Sequence, residues 1–193
     1  MARQFSQEHL RVRPSSREEA VVNAAREHFE QTLISSRGEL VGSMAALSHP
    51  GGKDQALNYD EVFLRDNVPV MLLLLVQGRF AIVRNFLETC LELQSSAYQT
   101  RGVFPTSFVE QNGVLVADYG QRSIGRITSV DASLWWPVLC WLYVRRSRDW
   151  DFGASQRVQR GVQLLLDLVL HPTFEGTPVL FVPDCAFMID RPM

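Results

Sequence analysis

The chain has 193 residues, of which 46% are hydrophobic and 21% charged, so its composition is that of one globular domain and excludes a disordered chain. Lysine and arginine total 19, aspartate and glutamate total 21, and the net charge of −2 does not favour nucleic acid or a membrane surface as a partner. The longest apolar run, residues 68–76, is far shorter than the roughly 20 residues that span a bilayer.

The cysteines, Cys90, Cys140 and Cys185, are widely spaced and form no CxxC pair. The sequence therefore predicts neither a disulfide framework nor a zinc site. The N-terminal residues lack the apolar core of a secretion signal. We expect a cytoplasmic protein with reduced thiols, no cofactor and no metal.

In chain order, residues 1–14 are expected to form a flexible lead to a domain that occupies residues 15–193. The sequence from Ser16 to Glu19 fits the capping box S-x-x-E, which predicts a helix up to about Ser36 with Gly38 as its stop. A second helical zone covers residues 60–77, and Pro69 starts a new segment within it. Because this segment is apolar on nearly every face, we expect it to be buried all round.

Further along, residues 79–98 show the apolar stripe of a third helix. Two short apolar stretches flank Asn112-Gly113 and predict a β-hairpin over residues 108–116. Two more helices are expected over residues 132–146 and 155–170, and a short strand over residues 179–182. The prediction is therefore an all-α fold of stacked helical hairpins, with one small β-hairpin in an inserted loop.

The first group of candidate functional residues is Asp60, Arg65 and Asp66. An arginine next to an aspartate at the start of a helix offers both donors and an acceptor, which is what sugar hydroxyls require. The alternative is structural: an ion pair between Arg65 and Asp66, with Asp66 as a helix N-cap.

The second candidate is Asp131, which lies directly before the expected fourth helix and beside Trp135 and Trp136. A carboxyl group among aromatic rings can have a raised pKa and donate a proton near neutral pH. The alternative is an N-cap, in which the helix dipole favours the carboxylate and opposes that acid role.

The two tryptophans are adjacent and point to different faces of the helix, so one is expected in the core and the other as a platform for a sugar ring. Arg122 and Arg126 flank Gly125 in the loop before Asp131. They are either solvated charges or a fork that binds substrate.

Four blocks of the sequence resemble the alkaline/neutral invertases, glycoside hydrolase family 100. They are LNYDEVFLRDNVP (57–69), RGVFPTSF (101–108), ADYGQRSIGRITSVDASLWW (117–136) and DCAFMIDRPM (184–193), and they occur in order from about Ala56 to the end of the chain.

This resemblance implies an (α/α)6 toroid that hydrolyses sucrose to glucose and fructose without a metal, by an inverting mechanism with two carboxyl groups. It implies that Asp131 is the general acid. It further implies that Arg65 and Asp66 bind glucosyl hydroxyls, with Asp60, Arg126, Trp135 and Trp136 as additional substrate contacts.

Because the last block is interrupted at Met193, we expect the first half of a toroid, truncated at its C-terminus and lacking the catalytic base. Such a chain would expose apolar flanks of helices such as residues 70–77, and would bind a second copy of itself or a complementary C-terminal half. The alternatives are an inactive truncated fragment and a helical module that binds a sugar or a partner.

Overall fold

A computed structural model of the chain describes residues 15–45, 59–97, 100–119 and 130–170. The predicted lead over residues 1–14, the strand over 179–182, the final sequence block, and Arg122 and Arg126 all lie outside these ranges. The chain divides into two compact units, residues 1–31 and 32–193, which are described separately. The described elements are α1 (Ser16–Thr32), β1 (Leu33–Ser36), β2 (Glu39–Ser43), β3 (Val62–Phe63), α2 (Asn67–Val76), α3 (Phe80–Glu92), β4 (Ser107–Gln111), β5 (Val114–Asp118), α4 (Val130–Ser147), α5 (Trp150–Ala154) and α6 (Gln156–Val169).

The first unit contains α1, and its capping box is formed by Ser15 and Glu18. The Glu18 carboxylate accepts from the Ser15 amide, and the Ser15 hydroxyl accepts from the Glu18 amide at 3.3 Å. The predicted box from Ser16 to Glu19 is therefore wrong by one residue. The sequence SSREE contains two overlapping S-x-x-E patterns, and the helix uses the earlier one.

The second unit opens with a hairpin where the sequence predicted the end of a helix. Strands β1 and β2 pair antiparallel, with Leu33 opposite Ser43 and Ser36 opposite Glu39. The turn residues Arg37 and Gly38 have φ values of 53° and 85°, and two successive positive values match the twist of a two-residue hairpin turn. The helix therefore ends at Thr32, and Gly38 belongs to the turn of this hairpin.

A three-stranded sheet has the order β3-β4-β5. The predicted hairpin is confirmed, since β4 and β5 pair around Asn112 and Gly113, whose φ values are 54° and 80°. Strand β3 pairs with the other edge of β4 and lies within the zone predicted as helix. The helix of that zone begins only at Asn67, because the residues before it pair with a distant strand.

Helices α2, α3 and α4 pack against one another and supply much of the core, including Met71, Leu74, Phe86, Leu87, Trp136 and Leu139. Helix α2 was expected to be buried all round, but this prediction is wrong. Leu72, Leu73 and Val76 are exposed, Val76 by 75%. Helix α4 likewise presents Leu134, Val138 and Trp141 to solvent. Each of these helices is apolar on two faces and uses only one of them for packing.

Helix α6 lies close to the end of α3 and to the loop that follows it, because two glycines leave room for neighbouring atoms. A Cβ atom on Gly161 would lie 2.4 Å from Leu91 Cδ2, and one on Gly102 would lie 2.5 Å from the Leu164 carbonyl oxygen. The amide of Gln94 donates to the carbonyls of both glycines, at 2.8 and 2.9 Å. Helix α3 ends at Glu92, short of the predicted Tyr98.

The helix predicted over residues 155–170 is confirmed as α6, and the short α5 before it was not predicted. The short α5 is capped by Asp149, whose carboxylate accepts from the Phe152 amide at 3.1 Å. Helix α6 has its own cap, in which the Ser155 hydroxyl accepts from the Val158 amide at 3.4 Å. In the part of the chain that the structure describes, no helix is long and apolar enough to cross a membrane.

Candidate active site

The side chain of Arg65 lies between two of the carboxylates that the sequence singled out. Its Nη1 atom is 3.6 Å from Asp131 Oδ1, and its Nε atom is 3.9 Å from Asp66 Oδ1. The side chains of Arg65, Asp66 and Asp131 are 32%, 55% and 20% exposed, so the cluster is open to a ligand from solvent. Asp131 and Arg65 were predicted to act on the same substrate, and the structure brings them together.

One short segment, residues 104–106, forms hydrogen bonds to neighbours of both Arg65 and Asp131. The Thr106 carbonyl accepts from the amide of Leu64, the residue before Arg65, at 3.0 Å. The Phe104 amide donates to the Ser133 hydroxyl at 3.0 Å, and Ser133 lies two residues after Asp131. The bond to Ser133 is buried, and the bond from Leu64 lies at the end of β3. Together they fix the backbone next to Asp131 and next to Arg65.

Asp131 is the second residue of α4 and not its N-cap, since the helix begins at Val130. It therefore lies in the first turn, where the unpaired amides and the helix dipole favour negative charge. The Asp131 carboxyl group thus combines a place in the first turn of α4 with a contact to Arg65.

Asp66 occupies the N-cap position of α2, but its side chain makes no capping hydrogen bond. Its φ and ψ values, −69° and −23°, are already helical, whereas a capping residue usually has extended values. The predicted ion pair with Arg65 is present, although at 3.9 Å between exposed groups it contributes little stability. The helix does not use the Asp66 carboxylate, which leaves it available to a ligand.

The structure assigns different positions to the two tryptophans. Trp136 is 1% exposed, stacks on Phe104 at 4.8 Å between ring centroids, and donates from its indole to the Leu87 carbonyl at 3.2 Å. It takes the core position expected for one of the pair, so its ring is not open to a substrate. Trp135 is 42% exposed and lies one helical turn after Asp131, on the same side of α4.

Of the other predicted site residues, Asp60 is exposed, and Arg126 lies outside the described residues. The sequence did not single out two buried polar residues of the segment 61–67, which also carries Arg65 and Asp66. Glu61 accepts a 2.5 Å hydrogen bond from the Ser107 hydroxyl, and Asn67 forms three hydrogen bonds through its side chain. The signal for Asn67 was its place directly before the apolar run of residues 68–76.

A cluster of this kind offers guanidinium donors, carboxylate acceptors and an exposed indole within a small area. Sugars carry hydroxyls that both donate and accept, together with flat apolar ring faces, so the arrangement suits a sugar. Among the described residues, no group of three or more His, Cys, Asp or Glu side chains is placed to hold a metal ion.

Comparison with known proteins agrees with this chemistry. The sequence profile of the family described as alkaline and neutral invertase matches residues 25–193. The chain belongs to the alkaline and neutral invertase family. It is 35% identical over 196 residues to alkaline/neutral invertase CINV2 of Arabidopsis thaliana, an alignment that covers 95% of this chain and 35% of the relative.

Two rice proteins are similar to the same degree. Cytosolic invertase 1 of Oryza sativa subsp. japonica is 36% identical, with 90% of this chain and 33% of the relative covered. The mitochondrial neutral/alkaline invertase 1 of the same plant is 37% identical, with 84% and 28% covered. The chain thus spans about a third of the length of the curated relatives it matches.

Family membership does not assign the chain to a particular compartment. The relatives include invertases named as cytosolic, mitochondrial and chloroplastic. The cytoplasmic location inferred from the sequence therefore stays a prediction.

Proposed function

We propose that this chain carries the sucrose-binding and proton-donating part of an inverting glycosidase. The single observation that supports this most strongly is the 3.6 Å contact between Arg65 and Asp131, with Trp135 one helical turn away. Donor, carboxyl group and aromatic face are then within reach of one sugar ring.

In this proposal, Asp131 protonates the glycosidic oxygen as the bond to fructose breaks. Arg65 donates to glucosyl hydroxyls and Asp66 accepts from them, while Trp135 stacks on a ring face. Asp60 and Arg126 make further contacts with the substrate.

An inverting mechanism also needs a carboxylate that activates water, roughly 6.5–9.5 Å from the acid. We propose that this base belongs to the part of the (α/α)6 toroid that corresponds to the remaining length of the relatives. The 193-residue chain alone would then bind sucrose weakly and hydrolyse little of it, because water activation is missing.

Saturation-transfer difference NMR, which detects weak ligands, tests the binding step with sucrose and the purified 193-residue chain. We expect transfer to the glucosyl protons, lost in Asp66→Ala and kept in Asp167→Ala, which removes an exposed carboxylate from α6. A folded wild-type chain that gives no transfer from sucrose overturns the proposal.

Glucose release from sucrose near pH 7 tests the catalytic step. We expect little release by the wild-type chain and none by Asp131→Asn, which retains the shape of the side chain but not the acid. Full activity in Asp131→Asn would contradict the role of Asp131. High activity in the wild type that is lost in Asp131→Asn would show that the base is within this chain.

A further inference from the structure

The side chain of Asn67 ties together three parts of the chain next to the candidate site. Its Oδ1 atom accepts from the Ser43 amide at 2.8 Å, and its Nδ2 atom donates to the Ser43 carbonyl at 2.8 Å and to the Phe63 carbonyl at 2.9 Å. Asn67 is 2% exposed, so these bonds are shielded from water. A buried amide with donors and acceptor all engaged holds its neighbours in one arrangement.

These three bonds surround the turn that carries Arg65 and Asp66. The turn leaves β3 at Phe63 and enters α2 at Asn67, so Asn67 fixes both of its ends relative to β2. Within the turn, the Arg65 carbonyl accepts from the Val68 amide at 3.1 Å. The backbone of Arg65 is thereby determined, and its side chain needs only to extend toward Asp131.

The approach of β2 to this turn depends on Gly42. A Cβ atom at that position would lie 2.6 Å from Val62 Cγ1 and 3.4 Å from Asn67 Oδ1. The absence of a side chain there lets the backbone of Ser43 come within hydrogen-bond distance of the Asn67 amide.

We propose that Asn67 is a positioning residue for the candidate active site, holding the turn of Arg65 and Asp66 so that the guanidinium reaches Asp131. The Asp66 side chain forms no cap and therefore does not fix the start of α2. The Asn67 side chain fixes it instead, through its bond to the Phe63 carbonyl. This inference rests on the proposed function, because it gives Asn67 a role in sugar binding as well as in folding.

The chemistry of the side chain makes the inference testable by a nearly isosteric change. In Asn67→Asp, the Ser43 and Phe63 carbonyls lose their donor, and a charge is buried where an amide fitted. Leu165→Ala is the matched control, since Leu165 is a buried residue of α6 and its truncation lowers stability without touching the turn.

Both variants are compared with the wild-type 193-residue chain at a temperature where circular dichroism shows all three to be folded. We expect sucrose transfer in the NMR experiment to fall at least tenfold in Asn67→Asp and to stay near the wild-type value in Leu165→Ala. Wild-type transfer in a folded Asn67→Asp variant overturns the inference. If that variant does not fold, Asn67→Ser, which keeps one hydroxyl for these bonds, is measured in its place.

A second readout is independent of sugar and separates this inference from the proposed function. The side-chain Nε–H resonance of Arg65, assigned by its absence in Arg65→Lys, reports on the surroundings of the guanidinium. We expect this resonance to shift toward that of a free arginine in Asn67→Asp but not in Leu165→Ala. An unchanged resonance overturns the positioning role, whereas a shift without sucrose binding in the wild type overturns only the proposed function.

Discussion

The hydroxyl of Ser133 accepts a 3.0 Å hydrogen bond from the backbone amide of Phe104, and both residues are buried. This bond joins the first turn of α4 to the segment that also accepts from the amide of Leu64. Asp131 and Arg65 therefore meet because their neighbours are attached to the same three residues, 104–106.

The first prediction concerns Ser133→Ala. The change leaves the buried Phe104 amide without its acceptor, which typically costs about 1–3 kcal/mol, and we expect a loss of this size in the free energy of unfolding. Equilibrium unfolding in urea measures it. The matched control is Ser36→Ala, because the Ser36 hydroxyl is buried and has no hydrogen-bond partner among the described residues. We expect that control to be neutral or stabilising; equal losses in both variants would contradict the role of the bond.

The sequence predicted those elements whose signals are local. Asn112-Gly113 specifies a hairpin turn by itself, and β4 and β5 follow from it. Strand β3 was missed because it is short and pairs with β4 from far away in the chain, which no local pattern shows. The first hairpin was missed because the apolar spacing of α1 continues to Leu33, one residue beyond the helix.

The same distinction holds for the candidate site. Arg65, Asp66 and Asp131 were identified from residue type and resemblance, but their contact depends on segment 104–106, which is remote from all of them in sequence. Which tryptophan is buried was likewise decided by packing on Phe104, not by the sequence around the pair.

The second prediction concerns the contact between Gly102 and α6. In Gly102→Ala the new Cβ would meet the Leu164 carbonyl oxygen at 2.5 Å, and φ is +99°, so we expect a loss of more than about 1 kcal/mol of unfolding free energy. Gly113→Ala is the control, because its φ is +80° but nothing lies within 4 Å. Urea unfolding compares the two, and faster amide exchange in α6 should accompany Gly102→Ala alone. Equal effects would mean that backbone strain, and not the contact, matters.

The third prediction concerns pH and the pair formed by Tyr143 and Asp149. The Tyr143 hydroxyl donates to Asp149 at 2.7 Å, and this bond, followed by those from the Phe152 amide and Arg84, lowers the pKa of Asp149. The ionised carboxylate therefore stabilises the fold above the usual carboxyl pKa, and this contribution is lost as pH falls through the lower folded-state value. Burial, and then the bond to Asp149, raises the pKa of Tyr143 to about 12. The protonated Tyr143 hydroxyl therefore contributes fully to the stability of the fold below the usual tyrosine pKa, and this contribution is lost as pH rises toward 12.

Asp149→Asn tests the acidic side of this dependence. A hydrogen bond to a charged group contributes about 1.5–3 kcal/mol, so we expect the variant to be less stable than wild type by an amount of this order at pH 7. The difference should shrink as pH is lowered toward 3 and below. Urea unfolding across this range gives both values, with Asp151→Asn as the control for an exposed carboxylate of α5. A difference that does not change with pH would exclude the ionised pair as its source.

The fourth prediction separates the two tryptophans. Trp136→Phe removes the indole donor to the Leu87 carbonyl and leaves space beside Phe104, so we expect a loss of about 1–3 kcal/mol of unfolding free energy. Trp135 is half exposed, and Trp135→Ala should change stability by no more than about 0.5 kcal/mol. If Trp135 forms the sugar platform, the same variant loses most of the saturation transfer to sucrose. Transfer equal to wild type would remove Trp135 from the site and leave sugar recognition to the charged groups around Arg65.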